Sequence, residues 1–215
     1  MNERQEGPVV TTADPPSTAA VKIIVAGGFG AGKTTLVTAV SEIRPLTTEE
    51  ELTLPSSATD DLAGVEGKTT TTVAVDFGRI TFPYPDMELT LYLFGTPGQD
   101  RFLFLWHGLA EGAIGAVVLA DTRRLDDSFP SLTYFEQLGL PFIVAVNEFE
   151  GCPYRYTPDE VRDALDLPPH IPVVLCDARD RASATDTLIA LVHHALGRLP
   201  SFTPAATPSR LGAPA

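Results

Sequence analysis

The stretch Gly27-Gly28-Phe29-Gly30-Ala31-Gly32-Lys33-Thr34 fits the pattern G-x-x-x-x-G-K-[ST] of a phosphate-binding loop. Its flanks fit as well. Val21-Lys22-Ile23-Ile24-Val25-Ala26 reads as a buried strand, and Thr35-Leu36-Val37-Thr38-Ala39-Val40 reads as the start of a helix. The residue types suit the chemistry. Glycines let the backbone curl so that several N–H groups point inward at phosphate oxygens, and the helix adds its positive dipole end. Lys33 is placed to reach the β- and γ-phosphates, the Thr34 hydroxyl to ligate Mg²⁺, and Thr35 completes the phosphate-binding set. A plain glycine-rich turn is the alternative reading. A match seated between a strand and a helix argues against it. The segment predicts a nucleotide-binding chain.

The remaining composition bounds that prediction. The chain has 215 residues, 44% of them hydrophobic and 20% charged, enough for one α/β domain with a full core plus tails. Acids outnumber bases 28 to 15, for a net charge of −13. This argues against a nucleic-acid backbone or an anionic membrane as the main partner. The first twenty residues are polar and rich in Pro and Thr, without the apolar core of a signal peptide. The longest apolar run, around Ile114 to Ala120, is strand-sized. Residue 2 is Asn and the chain ends Leu-Gly-Ala-Pro-Ala, so neither myristoylation nor prenylation is expected. Cys152 and Cys176 stand far apart without metal-ligand spacing, as two thiols in a reducing compartment would. A cytoplasmic protein with no membrane anchor of its own is expected, reaching a membrane only by recruitment through a partner.

Three regions are expected: a tail over 1–20, a domain over 21–198 and a Pro/Ala-rich tail over 199–215. Within the domain, strand patterns at 21–26, 71–82, 88–95, 113–121, 140–147 and 171–176 alternate with helix patterns at 33–43, 99–110, 126–138, 158–166 and 183–197. That alternation predicts a six-stranded, mainly parallel sheet covered by five helices, an α/β P-loop fold. Residues 44–68, rich in Thr, Glu, Asp and Ser, read as a long connection where a nucleotide-sensing segment would sit.

Downstream segments carry a family resemblance. Thr72-Val73-Ala74-Val75-Asp76-Phe77 is similar to the first switch of Ras-superfamily small GTPases. Gly95-Thr96-Pro97-Gly98-Gln99-Asp100-Arg101-Phe102 resembles the second switch, D-T-x-G-Q-E-R-F. Val144-Ala145-Val146-Asn147-Glu148-Phe149-Glu150 occupies the place of the guanine-reading N-K-x-D, and Cys176-Asp177-Ala178-Arg179 the place of S-A-K. The order and spacing of these segments match a small GTPase with a lengthened first-switch loop. The resemblance is greatest to bacterial MglA-like GTPases, above all those of actinobacterial conservon operons, through F-G-T-P-G-Q-D-R-F and Asp121-Thr122-Arg123-Arg124.

The resemblance implies roles. Thr72 would ligate Mg²⁺, Gly98 would donate its N–H to the γ-phosphate, and Gln99 with Lys33 would be catalytic, Gln99 orienting the attacking water. Asn147, Glu150, Asp177 and Ala178 would hold the base, with Asp177 as an alternative cap for the helix that follows. The family's second-switch aspartate is Gly95 here, which weakens the expected Mg²⁺ site unless Asp76 or Asp100 compensates. Glu148 and Glu150 replace the family's Lys and Asp. Arg101 reads as a solvated residue or as an arginine finger in cis, and Arg123 and Arg124 as caps of a surface loop. The implied protein is a guanine-nucleotide switch with slow GTP hydrolysis. Its implied partners are GTP or GDP, a roadblock-fold regulator and a histidine-kinase-like membrane sensor. A non-hydrolysing scaffold and a P-loop ATPase are the alternatives.

Overall fold

The computed structural model describes residues 17–53, 70–83, 87–98, 103–152 and 154–198. Five apolar runs become parallel strands: β1 (Ser17–Gly27), β4 (Met87–Gly95), β5 (Ala113–Ala120), β6 (Phe142–Asn147) and β7 (Val173–Cys176). Two more strands extend the sheet, and only the nearer of them runs antiparallel to the five. β3 (Thr70–Pro83) pairs with β4, and β2 (Leu46–Thr53) pairs with β3. The order is β2-β3-β4-β1-β5-β6-β7.

All six expected strands are present, and β2 is a seventh, at the edge. It lies inside the segment read as a long connection. Leu-Thr-Thr-Glu-Glu-Glu-Leu-Thr has no apolar alternation, so only its backbone pairing with β3 makes it a strand. β1 likewise starts at Ser17, inside the expected tail, because Ser17–Ala20 pair with Met87–Thr90. Those residues are mostly exposed and leave no hydrophobic pattern to read.

The helices are α1 (Lys33–Val40), α2 (Leu103–Ala110), α3 (Phe129–Leu138, entered by a 3₁₀ turn over Leu125–Ser128), α4 (Pro158–Ala164) and α5 (Arg181–Gly197). They cover both faces of the sheet. Period-two alternation sends Ile23, Val25, Val117, Leu119, Ile143 and Ala145 to the face under α1 and α5. It sends Ile24, Ala26, Val118, Val144 and Val146 to the face that buries Trp106, Leu132, Phe135 and Val161 of α2, α3 and α4. Each Val, Leu or Ile among them contributes about 1.5–3 kcal/mol on burial. A strand buried on both faces reads as one continuous apolar run, which is why β1, β5 and β6 were legible.

This layering fixes where a ligand can bind. The chain leaves β1 in the middle of the sheet, with β4 on one side and β5 on the other, so successive crossovers diverge there and open a crevice at the strands' carboxyl ends. The phosphate-loop motif sits at that point. Asn147 and Cys176, the last residues of β6 and β7, end on the same rim.

Candidate functional site

The loop between β1 and α1 has the geometry its glycines allow. Gly27 ends β1 with φ 132° and runs so close to β5 that a Cβ there would overlap the Leu119 carbonyl oxygen. Gly32 has φ 107° and sits at the N-cap of α1, where no side chain caps the helix and no acidic residue occupies the first turn. The first N–H groups of α1 are therefore open to an anion.

Lys33 lies folded over this loop, only 8% exposed. Its Nζ donates to the carbonyl oxygens of Gly27 at 2.9 Å and Gly28 at 2.7 Å. Burial pulls its pKa down from 10.5 to about 8, against the opposing pull of the Asp76 charge. A phosphate would be a far better acceptor for this ammonium than two neutral carbonyls. Gly98 closes the loop from the far side. A Cβ on Gly98 would stand 2.5 Å from Lys33 Nζ and 2.9 Å from both the Gly28 carbonyl oxygen and Phe29 Cα. Gly98 thus meets the lysine directly.

Gly95 is the departure from the small-GTPase pattern, and the register of the sheet explains it. Asp76 of β3 lies directly opposite Gly95 of β4. A Cβ on Gly95 would come within 3.0 Å of Asp76 Cβ and 3.1 Å of its Oδ2. The Thr34 hydroxyl donates to that same Oδ2 at 2.5 Å. One strand over from where the family carries it, a buried carboxylate reaches the hydroxyl of the phosphate loop. Two hard oxygen donors converge, one of them anionic. This set fits Mg²⁺, which is typically held by one or two protein oxygens with phosphates and water completing the shell. No cluster of three or more His, Cys, Asp or Glu occurs among the described residues.

The loops after β6 and β7 join the phosphate loop through Asn147. Its Nδ2 donates to the Ala31 carbonyl at 2.9 Å, and its Oδ1 accepts from the Ala178 N–H at 3.1 Å. Buried to 6% exposure, one amide couples three loops. Arg179 then gathers the acidic residues around them. It bonds Asp177 through Nε at 2.9 Å and Nη2 at 2.8 Å, and Glu150 through Nη1 at 2.9 Å. The Arg179 side chain foremost, and then its backbone N–H, which donates to Asp177 Oδ1 at 3.0 Å, hold the Asp177 carboxyl down to about 2. The helix cap of α5 is Asp180, which accepts from the Ser183 N–H at 2.8 Å, so Asp177 remains with Arg179. Glu148 pairs with Arg155. Arg179 also borders a cleft with Thr34, Thr35, Thr38 and Ala39, which brings the loop after β7 up to the first turns of α1.

Two arginines follow β5. Arg123 grips both oxygens of Asp121, at 2.8 and 2.7 Å, and lies 3.7 Å over the Phe149 ring. Burial pushes the Asp121 carboxyl up, and the Arg123 bonds more than reverse it. Arg124 turns the other way and donates to the Phe29 carbonyl of the phosphate loop. Sequence reading missed this contact, because nothing in the chain marks a loop ninety-five residues away as its partner. Arg179 as the organiser of Glu150 and Asp177 was missed for the same reason.

The expected residues therefore fall into groups. Gly27 to Thr35 and Gly98 form one loop site, and Asn147, Glu150, Asp177 and Ala178 form its flank. Thr72 lies in β3 opposite Glu51, four residues before Asp76, about 13 Å along a strand. Gln99, Asp100, Arg101 and Phe102 lie outside the described residues. No helix among the described residues is long and apolar enough to cross a membrane.

Comparison with known proteins agrees on a nucleotide-binding P-loop architecture. Residues 25–198 match the family described as "conserved hypothetical ATP binding protein". An uncharacterized protein of Methanocaldococcus jannaschii is 27% identical over 130 residues, covering 60% of this chain and 70% of that protein. The crystal structure of the G domain of the T. maritima FeoB iron transporter superposes with a TM-score of 0.55 at 20% identity, covering 82% of this chain and 99% of that domain. At that identity the superposition speaks for the fold.

Proposed function

We propose that this chain, which belongs to the family of conserved hypothetical ATP-binding proteins, is a guanine-nucleotide switch that binds GTP and GDP and slowly hydrolyses GTP. The observation that carries the reading is the Asn147 amide. It ties the phosphate loop at Ala31 to the Ala178 N–H, within a rim that also holds Glu150 and Asp177. Carboxylates at the base edge favour guanine, whose N1 and N2 donate, over adenine, whose N1 accepts.

The chain's own residues supply the rest. Lys33 leaves the Gly27 and Gly28 carbonyls for the phosphates, and the loop amides and open end of α1 surround them. Thr34 and Asp76 would hold Mg²⁺, whose contribution when bound is to neutralise phosphate charge. In this reading segments 44–72 and 95–105 respond to the nucleotide. Gln99 orients water in the triphosphate form, and Thr72 joins the metal ion only if the start of β3 leaves its pairing with β2. The MglA-like resemblance adds a roadblock-fold regulator and a membrane sensor as partners. With Asp76 supplying a carboxylate, hydrolysis is favoured over a non-hydrolysing scaffold.

ATP is the second reading. The family's description favours it, and so does the engagement of Glu150 by Arg179. Titration with fluorescent GDP, GTP and ATP analogues, with and without Mg²⁺, decides between them. Guanine selectivity that disappears in Lys33→Ala supports the switch. Equal or tighter ATP binding replaces it with an ATP-binding protein.

A further inference from the structure

We infer that Arg124, delivered by the connection from β5 to α3, is a positioning residue for the terminal phosphate of the bound nucleotide. This rests on the nucleotide reading above and adds a residue that reading does not use.

The geometry begins at Asp121, where β5 ends and the carboxylate is buried. Arg123 occupies both of its oxygens, and the turn closes with the Arg124 N–H donating to the Asp121 carbonyl at 2.9 Å. Consecutive arginines are thereby sent in opposite directions, Arg123 over Phe149 and Arg124 onto Phe29. The approach to the phosphate loop is close enough to demand glycine on the other side. A Cβ on Gly28 would lie 2.5 Å from Asp127 Cβ, and one on Gly30 would lie 3.2 Å from Arg124 Nη2.

Phe29 is the meeting point. Its Cα faces the same spot as Gly98 and Lys33 Nζ, while its carbonyl receives Arg124. A guanidinium there acts on the triphosphate in two ways. It fixes the Phe29 peptide, hence the direction of the neighbouring N–H groups, and it places a permanent charge beside them. The other restraints on Arg124 are loose. Asp127 lies 3.5 Å away and Asp121 3.8 Å, the latter already held by Arg123, and about half of the side chain (47%) is exposed. A guanidinium has five N–H donors, so most of this fork is available to an incoming anion. In a chain of net charge −13, with a lysine whose charge is weakened by burial, a second fixed cation at this end of the loop matters.

The test compares GDP with a non-hydrolysable GTP analogue on the full chain, at fixed Mg²⁺, for wild type, Arg124→Ala and Arg124→Gln. Arg124→Gln keeps a donor for the Phe29 carbonyl without the charge, and it serves if the alanine variant folds poorly. Affinity for the triphosphate is expected to fall about tenfold, or about 1.4 kcal/mol, with the diphosphate changed less than about twofold. Arg124→Lys is expected to recover part of the loss. An equal loss for both nucleotides would reduce Arg124 to a structural prop and overturn the inference, as would no loss for either. A wild-type chain that binds neither nucleotide would overturn the nucleotide reading itself, a result distinct from wild-type binding with an unchanged ratio.

Discussion

Replacing Lys33 by Met should change how the stability of the nucleotide-free protein depends on pH. Lys33 is buried against two carbonyls, and its pKa falls from 10.5 to about 8. Between those values the unfolded chain binds more protons at this position than the folded one, so stability rises with pH. The penalty is fully present below pH 8 and is relieved as pH climbs toward the unfolded value. Linkage over that window gives a gain of about 2–3 kcal/mol between pH 7 and pH 10 from this one group. Lys33→Met keeps the volume and removes the titration. The assay is urea denaturation of both proteins at the two pH values, taking the difference of differences so that other groups cancel. Wild type should gain about 2–3 kcal/mol more than the variant on going from pH 7 to pH 10. Parallel behaviour within about 0.5 kcal/mol would refute the claim that burial holds this lysine partly neutral. The same logic predicts proton uptake when a nucleotide binds at pH 8, because phosphates restore the ammonium. Calorimetry in buffers of different ionisation enthalpy would show about half a proton per site.

Asn147→Ala should destabilise the protein by about 2–5 kcal/mol, since it leaves the Ala31 carbonyl and the Ala178 N–H buried without their partner; thermal and urea unfolding would measure it. Asp76→Gly should remove most of the Mg²⁺ dependence of triphosphate binding, and the double change Asp76→Gly with Gly95→Asp should restore much of it by moving the carboxylate across the β3–β4 register; a swap with no recovery would show that the strand of origin matters. Gly95→Asp alone should lower the melting temperature, because its Cβ enters the space around Asp76 and brings a like charge with it. Gly32→Ala should abolish nucleotide binding, since φ is 107° there and the new methyl would overlap the Asn147 amide; binding within a few-fold of wild type would refute this.

Residue order alone specifies the chemistry of the phosphate loop and the framework that carries it. Glycine spacing, a lysine and a threonine state a local backbone requirement, and two-sided burial writes Ile23–Ala26 of β1, the whole of β5 and Phe142–Val146 of β6 as unbroken apolar runs. Local rules of this kind can be read from neighbours in the chain. The expected strands and helices fall close to those of the structure, with ends shifted by a few residues, while β2 was missed because a polar edge strand takes its structure from its partner's backbone. The site was legible to the same depth. Resemblance could assign Asn147 to the base, but its bonds to Ala31 and Ala178 link residues 116 and 31 positions apart. Asp76 could be offered as a substitute for the missing aspartate, yet only the antiparallel register that sets it opposite Gly95 brings it to the Thr34 hydroxyl. Arg124 reads in sequence as a surface cap, because the carbonyl it holds lies ninety-five residues away. Which charges meet across such distances is decided by strand order and register, and those are set by the burial of both faces of the sheet together.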